Sequence, residues 1–347
     1  MSNSELIVLN NEKVSKKGNV YYSRNYNLKI LPEGLNNFFN VKYIARKSNV
    51  EENHKMNFTE IKISSNIFQF IYFVFSTFKN KNAKYFIISI SPYTFIAFIF
   101  LFVFRKKIYL YLISSGYEEW RYILGSWSIW VYHLMYKIMT SNSTVITLHD
   151  KLVKQNEGYV INSSSLNDSW LSNIKNAELD KIKFLYIGRI NPEKGIYEFL
   201  KMFKKIEFDS EITIIGKAKN LIIQKRMNDL IQNNPRIKFQ GVVSNREKLK
   251  EIYDEHNIFI LPSFTEGQPC VVDEALARRR PVLIFENISH IIKDRKGIFV
   301  SQRNLDSFTK ITKYIMQNYE QIQSQIKKNK LTLEKDMFKD IVAIINR

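Results

Sequence analysis

Residues 181–216 read KIKFLYIGRINPEKGIYEFLKMFKKIEFDSEITIIG. KIKFLYIGRI has the length and composition of a strand, NPEKGIYEFLKMFKKI reads as a loop followed by a helix, and EITIIG is a second strand. Strand, helix and strand in that order form a crossover between parallel neighbours. The rhythm continues with LIIQKRMNDLIQN as a helix, RIKFQGVV as a strand, REKLKEIYDEH as a helix and NIFILP as a strand. A further helix opens after SFTEGQP, and RPVLIF and GIFV are the next strands. This alternation predicts an α/β domain with a doubly wound, mostly parallel sheet.

The amino-terminal half carries the same signals less regularly. ELIVLN is its first strand and KKGN an early glycine loop. From Tyr85 to Phe104, YFIISISPYTFIAFIFLFVF has about the length of a membrane-spanning helix and no charge. Pro92 divides it, however, into the strand-like KYFIISIS and a helix with proline in its first turn, and RKK and the strand IYLYLIS follow. A second parallel crossover is therefore expected, not a span. The stretch NSSSLNDSWLSNIKNAELD, residues 162–180, is polar, lacks periodicity and reads as a linker. The expected domains are 1–165 and 178–330, both Rossmann-like, with a helix inside 331–347 returning to the first.

At 347 residues the chain suits two domains of ordinary size. Lysine and arginine outnumber aspartate and glutamate by 52 to 33, a formal charge of +19. The surplus is spread along the chain: 20 basic against 10 acidic through residue 164, and 32 against 23 after it. No basic arm results, and without interleaved aromatic-basic recognition motifs the charge does not point to nucleic acid. Solvated lysines account for it, or a surface facing phosphate or an anionic membrane. Aromatic segments at 66–80 and 95–104 favour the membrane if either has an exposed face. The single cysteine, Cys270, rules out an internal disulfide, and the five histidines show no metal-ligand spacing, so no metal or cofactor is expected. The start MSNSELIVLNNEK lacks the features of a secretory signal. Cytoplasm, with peripheral attachment to the inner membrane surface, is the expected location.

Ligands of open parallel sheets gather at the carboxyl ends of strands, where loops meet helix starts. Gly188, Arg189 and Lys194 follow one such strand in GRINPEKG, Val242 follows another in FQGVV, and Gly267, Gln268, Pro269 and Cys270 follow a third in SFTEGQPC. With a helix beginning near Pro269, Glu266 lies on the loop and Glu274 one to two turns inside. On one continuous helix their eight-residue separation would splay them by roughly 80°; the turn lets both face one cleft. Cations at 189 and 194 suit a diphosphate, and carboxylates suit sugar hydroxyls. Singly, each feature also has a plain structural reading as a turn, a cap or a dipole partner.

Together these residues resemble the donor domain of retaining glycosyltransferases with the GT-B fold. YIGRINPEKG is similar to that family's diphosphate loop, FQGVV to its base-proximal strand end, and ILPSFTEGQPCVVDEALA to its Glu-x7-Glu signature. The resemblance covers roughly residues 182–300. It implies Arg189 and Lys194 on the donor diphosphate, Glu266 on the transferred sugar and Glu274 on the ribose. Gly188, Val242, Gly267, Gln268, Pro269 and Cys270 would line the donor site. The implied reaction moves a sugar from a nucleoside-diphosphate sugar to a glycan or lipid-linked acceptor in polysaccharide or glycoconjugate synthesis, with retention and without a bound metal. On the acceptor side, Gly18 and Glu118 are candidates, with Glu119 and His149 beside them. Arg279 stands where the family usually places glycine, a helix-ending residue that often needs a left-handed backbone, and FENISHIIKDRKG lacks a glycine pair often seen there. Those departures keep a noncatalytic binding protein on the same fold as one alternative, and a nucleotide-sugar epimerase is a second, related-fold alternative.

Overall fold

The computed structural model describes residues 4–58, 60–113, 116–148, 158–218, 221–232 and 234–347. They divide into two units, Met1–Ser163 with Lys335–Arg347, and Ser164–Glu334.

The first unit contains β1 (Glu5–Lys17), β2 (Val20–Ser23), α1 (Tyr26–Leu35), β3 (Asn40–Lys47), β4 (His54–Lys55), β5 (Ile61–Ser64), α2 (Ile67–Phe75), β6 (Lys84–Ile88), α3 (Pro92–Val103), β7 (Lys107–Leu112), α4 (Tyr117–Leu124), α5 (Ser128–Ser141), β8 (Thr144–Thr147) and β9 (Gly158–Val160). The parallel strands lie in the order β5-β3-β1-β6-β7-β8-β9. The chain therefore winds outward in one direction from β1 and then in the other, which is the Rossmann pattern. Along β1, Leu6 and Val8 enter one core and Ile7 and Leu9 another, so both sheet faces are buried. The Pro92 break behaves as read: Ser91 caps α3 with Thr94 in a capping box, and proline occupies the first turn. Among the described residues no helix is long and apolar enough to cross a membrane.

The second unit contains β10 (Ile182–Ile187), α6 (Ile196–Phe203), β11 (Ser210–Ile215), α7 (Leu221–Ile231), β12 (Ile237–Gly241), α8 (Arg246–Glu255), β13 (Ile258–Leu261), α9 (Cys270–Ala277), β14 (Val282–Phe285), β15 (Ile298–Ser301), α10 (Leu305–Gln317) and α11 (Tyr319–Ile326). Its sheet is wholly parallel in the order β12-β11-β10-β13-β14-β15. The winding direction again reverses once, between β10 and β13.

One boundary differs from the sequence reading. The polar stretch 162–180 is no loose linker, because from Ser164 it belongs to the second unit. Leu166 and Trp170 are buried in that unit's core, and Trp170 meets Tyr253 edge-on at 5.7 Å. A few apolar anchors among many serines and asparagines leave no periodicity to detect. The last helix, α12 (Glu334–Ile345), packs Met337, Phe338, Ile341, Ile344 and Ile345 into the first unit's core. Lys84 Nζ and Tyr109 Oη both donate to the Ile345 carbonyl, at 2.8 and 2.7 Å, which satisfies the helix's carboxyl end.

Candidate active site

The single reversal of the second sheet places two loops side by side, residues 188–195 after β10 and 262–269 after β13. Such a switch point is where doubly wound sheets bind ligands. Gly195 shows how closely the loops meet. It has a left-handed backbone, φ 64°, and an added Cβ would come within 2.0 Å of the Pro262 carbonyl oxygen. Only glycine meets both demands. The Phe264 amide donates to the Glu193 carbonyl at 3.0 Å across the same seam. Arg303 secures the second loop, donating to the Pro262 and Ser263 carbonyls at 2.7 and 2.9 Å while its guanidinium lies 4.0 Å over the Phe264 ring.

On this frame Lys194 Nζ meets Glu266 Oε1 at 2.7 Å, and Ser263 Oγ donates to the same oxygen at 2.6 Å. Both members of the ion pair are largely buried, with 16% and 11% of their side chains exposed, so screening weakens the pair less than at an open surface. His290 Nε2 lies 2.9 Å from the Glu266 carbonyl oxygen and fixes the loop from the β14 side. Arg189 is exposed beside this pair in sequence. Its own carbonyl accepts a 2.8 Å bond from Tyr186 Oη, and the exposed side chain has no ion-pair partner among the described residues.

Glu274 occupies a separate, more enclosed position on α9. Oε1 accepts from Arg246 Nη1 at 2.7 Å and Ser165 Oγ at 2.9 Å, and Oε2 accepts from Tyr253 Oη at 3.1 Å. Burial, and next the Glu274 carboxylate, hold the Tyr253 phenol well above its ordinary pKa, so it stays a donor. Arg246 is itself positioned, stacked 4.4 Å over Trp170 and bonded to the Ser165 carbonyl at 2.6 Å. Pro269 stands at the N-cap of α9 and brings no side-chain acceptor to its first turn. Gln268 Oε1, one position before Pro269, is buried without a partner. Val242 is exposed just beyond β12 and Cys270 is half-buried.

The structure thus joins Lys194 to Glu266 and gives Glu274 different partners. Ser165, Arg246, Tyr253, Ser263 and His290 are the neighbours that motif spacing did not single out. Ser263 lies inside the quoted signature, whereas Arg246 and Tyr253 sit on the amphipathic helix α8 among charges of both signs and carry no local mark. Of the acceptor-side candidates, Gly18 (φ 60°) forms the tight turn between β1 and β2, whose ends Lys17 and Val20 pair directly. An added Cβ there meets nothing, so the turn alone accounts for this glycine. Glu118 and Glu119 fall on α4 with side chains outside the described residues, and His149 lies outside them as well. Among the described residues no group of three or more His, Cys, Asp or Glu could hold a metal ion.

The family model for glycosyl transferases group 1 matches residues 170–332, a span holding both loops, the Lys194–Glu266 pair and Glu274. Residues 170–332 are thus similar to group 1 glycosyl transferases. A Bacillus subtilis glycosyltransferase named for teichuronic acid biosynthesis is 27% identical over 39% of this chain and 33% of its own length. An uncharacterized glycosyltransferase of Haemophilus influenzae is 24% identical over 57% of this chain and 56% of its own. The chain thus spans between a third and a little over half the length of these curated relatives. In fold, both units together resemble sucrose-phosphate synthase from Thermosynechococcus elongatus, with a TM-score of 0.66, 14% identity and coverage of 99% and 95% of the two chains. An Anabaena protein solved in complex with UDP-glucose is similar at a TM-score of 0.66 and 12% identity, covering 99% and 97%. The stretch that matches the group 1 model therefore lies in the second of two Rossmann-like domains in a GT-B architecture.

Proposed function

We propose that the protein transfers a sugar, with retention of anomeric configuration, from a nucleoside-diphosphate sugar to a hydroxyl of a glycan or lipid-linked acceptor in polysaccharide or glycoconjugate synthesis. The observation that carries this reading is the Lys194–Glu266 ion pair at the sheet's switch point. It holds a cation and a carboxylate at one spot, so an arriving diphosphate competes for Lys194 and releases Glu266 toward sugar hydroxyls. Arg189, exposed on the same loop, adds a second cation for the leaving diphosphate. Fixed positive charge stabilises a departing anion most where water is displaced. In this proposal these side chains, rather than a resident metal, meet the diphosphate. Glu274 Oε2 has one donor, Tyr253, and a carboxylate oxygen accepts two bonds, which leaves capacity for a ribose hydroxyl. In the reaction the bond from the anomeric carbon to the diphosphate oxygen breaks, a bond to the acceptor oxygen forms, and the acceptor proton leaves with the diphosphate.

The test is nucleotide release from a panel of nucleotide sugars, with and without candidate acceptors and with and without chelator. Acceptor-dependent release that survives chelation and yields the donor's anomer supports the proposal. Interconversion of the donor sugar with no acceptor would identify an epimerase. Absence of nucleotide binding in calorimetry would leave a noncatalytic domain.

A further inference from the structure

The helical layer over one face of the first unit's sheet is apolar on both of its sides. Phe70, Val74, Phe98 and Met139 point inward and are buried. Outward, α2 presents Phe68, Tyr72 and Phe75 at spacings of four and three, with Phe68 and Tyr72 exposed by 83% and 68%. The end of α3 adds exposed Phe102, Val103 and Phe104, and the start of α5 adds Trp127 and Trp130 at 68% and 74%. Helix α3 contacts both α2 and α5, so the three helices are neighbours in one layer. Its charge is one-sided. From Ile61 to His149 the sequence holds nine basic residues and only two acids, Glu118 and Glu119. Lys62 and Lys106 sit among the rings, 5.5 Å over Phe73 and 5.1 Å over Phe78, and Lys79 and Arg105 are exposed beside them.

We infer that the outer face of α2, α3 and α5 seats on an anionic lipid bilayer. Phenylalanine and valine enter the acyl boundary, tyrosine and tryptophan settle at the headgroups, and lysine and arginine meet lipid phosphates. A second copy of this chain fits poorly as occupant, since it would press two basic surfaces together. The inference stands on the first unit alone and is independent of the proposed transfer reaction.

Flotation of the full chain with vesicles of phosphatidylcholine, with or without phosphatidylglycerol, tests it. The protein should float with the anionic vesicles at low salt and be released as salt rises. Phe68→Ser/Tyr72→Ser/Trp130→Ser should bind about tenfold more weakly, and Lys79→Glu/Arg105→Glu should lose the preference for anionic lipid. Leu221→Ser/Ile222→Ser, at equally exposed apolar sites on α7, should bind as the parent does, with circular dichroism confirming that each variant folds. Failure of the parent to float, unchanged binding by both first-unit variants, or an equal loss in the α7 control would overturn it. So would a dimer that the serine variant dissolves while lipid binding persists.

Discussion

Lys194 and Glu266 are 72 positions apart, and their 2.7 Å contact exists only because β10 and β13 are neighbours in the sheet. Replacing either by alanine should lower transfer by about 100-fold or more while leaving the circular dichroism spectrum intact, as each side chain sits on a loop outside the core. Arg246→Ala should act differently. It strips the cation from a carboxylate that is 5% exposed, so the denaturation midpoint should fall by an amount equivalent to about 3 kcal/mol. Glu274→Gln/Arg246→Ala should recover part of that loss, because no buried charge is then left unpaired. His256 supplies a pH test. Burial holds its pKa below the ordinary 6.5, although Nδ1 lies 2.6 Å from the Ile252 carbonyl oxygen. Below the ordinary value the unfolded chain binds a proton that the folded chain does not, so its contribution is full above about pH 6.5 and is lost as pH falls through the folded-state pKa. The denaturation midpoint should fall as pH drops below about 6.5, and less so in His256→Gln. The two glutamates were legible as a spaced pair. Their separate partners were not, since Arg246 and Ser165 approach Glu274 from helix α8 and from a stretch whose composition resembled a linker.

Among elements, α9 and its exit concentrate the unusual features of the second unit. Arg279 has φ 54°, the left-handed backbone its position demands, and the Arg280 amide donates to the Ala275 carbonyl at 2.8 Å to close the helix. Arg279→Gly should therefore raise stability by about 1 kcal/mol in chemical denaturation, without reducing nucleotide binding. Its two neighbours are structural. Arg278 pairs with Asp254 and donates to the carbonyls of Trp170, Ser172 and Asn173, and Arg280 donates to those of Tyr253, Asp254 and Lys175. Both are 2% exposed or less. They bind the stretch 170–175 to the unit, which is why a segment so polar is ordered. On a chain of charge +19 three consecutive arginines carry no sign of which are buried. The helix end was readable because backbone geometry is set locally, whereas the two buried guanidiniums depend on carbonyls about a hundred residues away.

For the whole molecule, both sheets repeat the same winding, and that was visible as alternating strand and helix signals. The strand order was not, as it depends on which edges pair and not on any single segment. The long β1, continuing through the Gly18 turn into an antiparallel hairpin, was likewise hidden beyond its first apolar run. The return of α12 to the first unit gives a prediction at this scale. Deleting residues 335–347 exposes the sheet face that Phe338 and Ile341 cover, so it should selectively destabilise the first unit. Hydrogen exchange should quicken in β1, β6 and β7 and remain slow in β10 through β14. Lys84 and Ile345 lie 261 positions apart, and the ribosome translates the entire second unit between them. At ordinary elongation speeds that interval lasts on the order of ten seconds or more. Through it the nascent amino-terminal sheet waits with one greasy flank uncovered, a window in which chaperones and aggregation compete for it before its own final helix emerges.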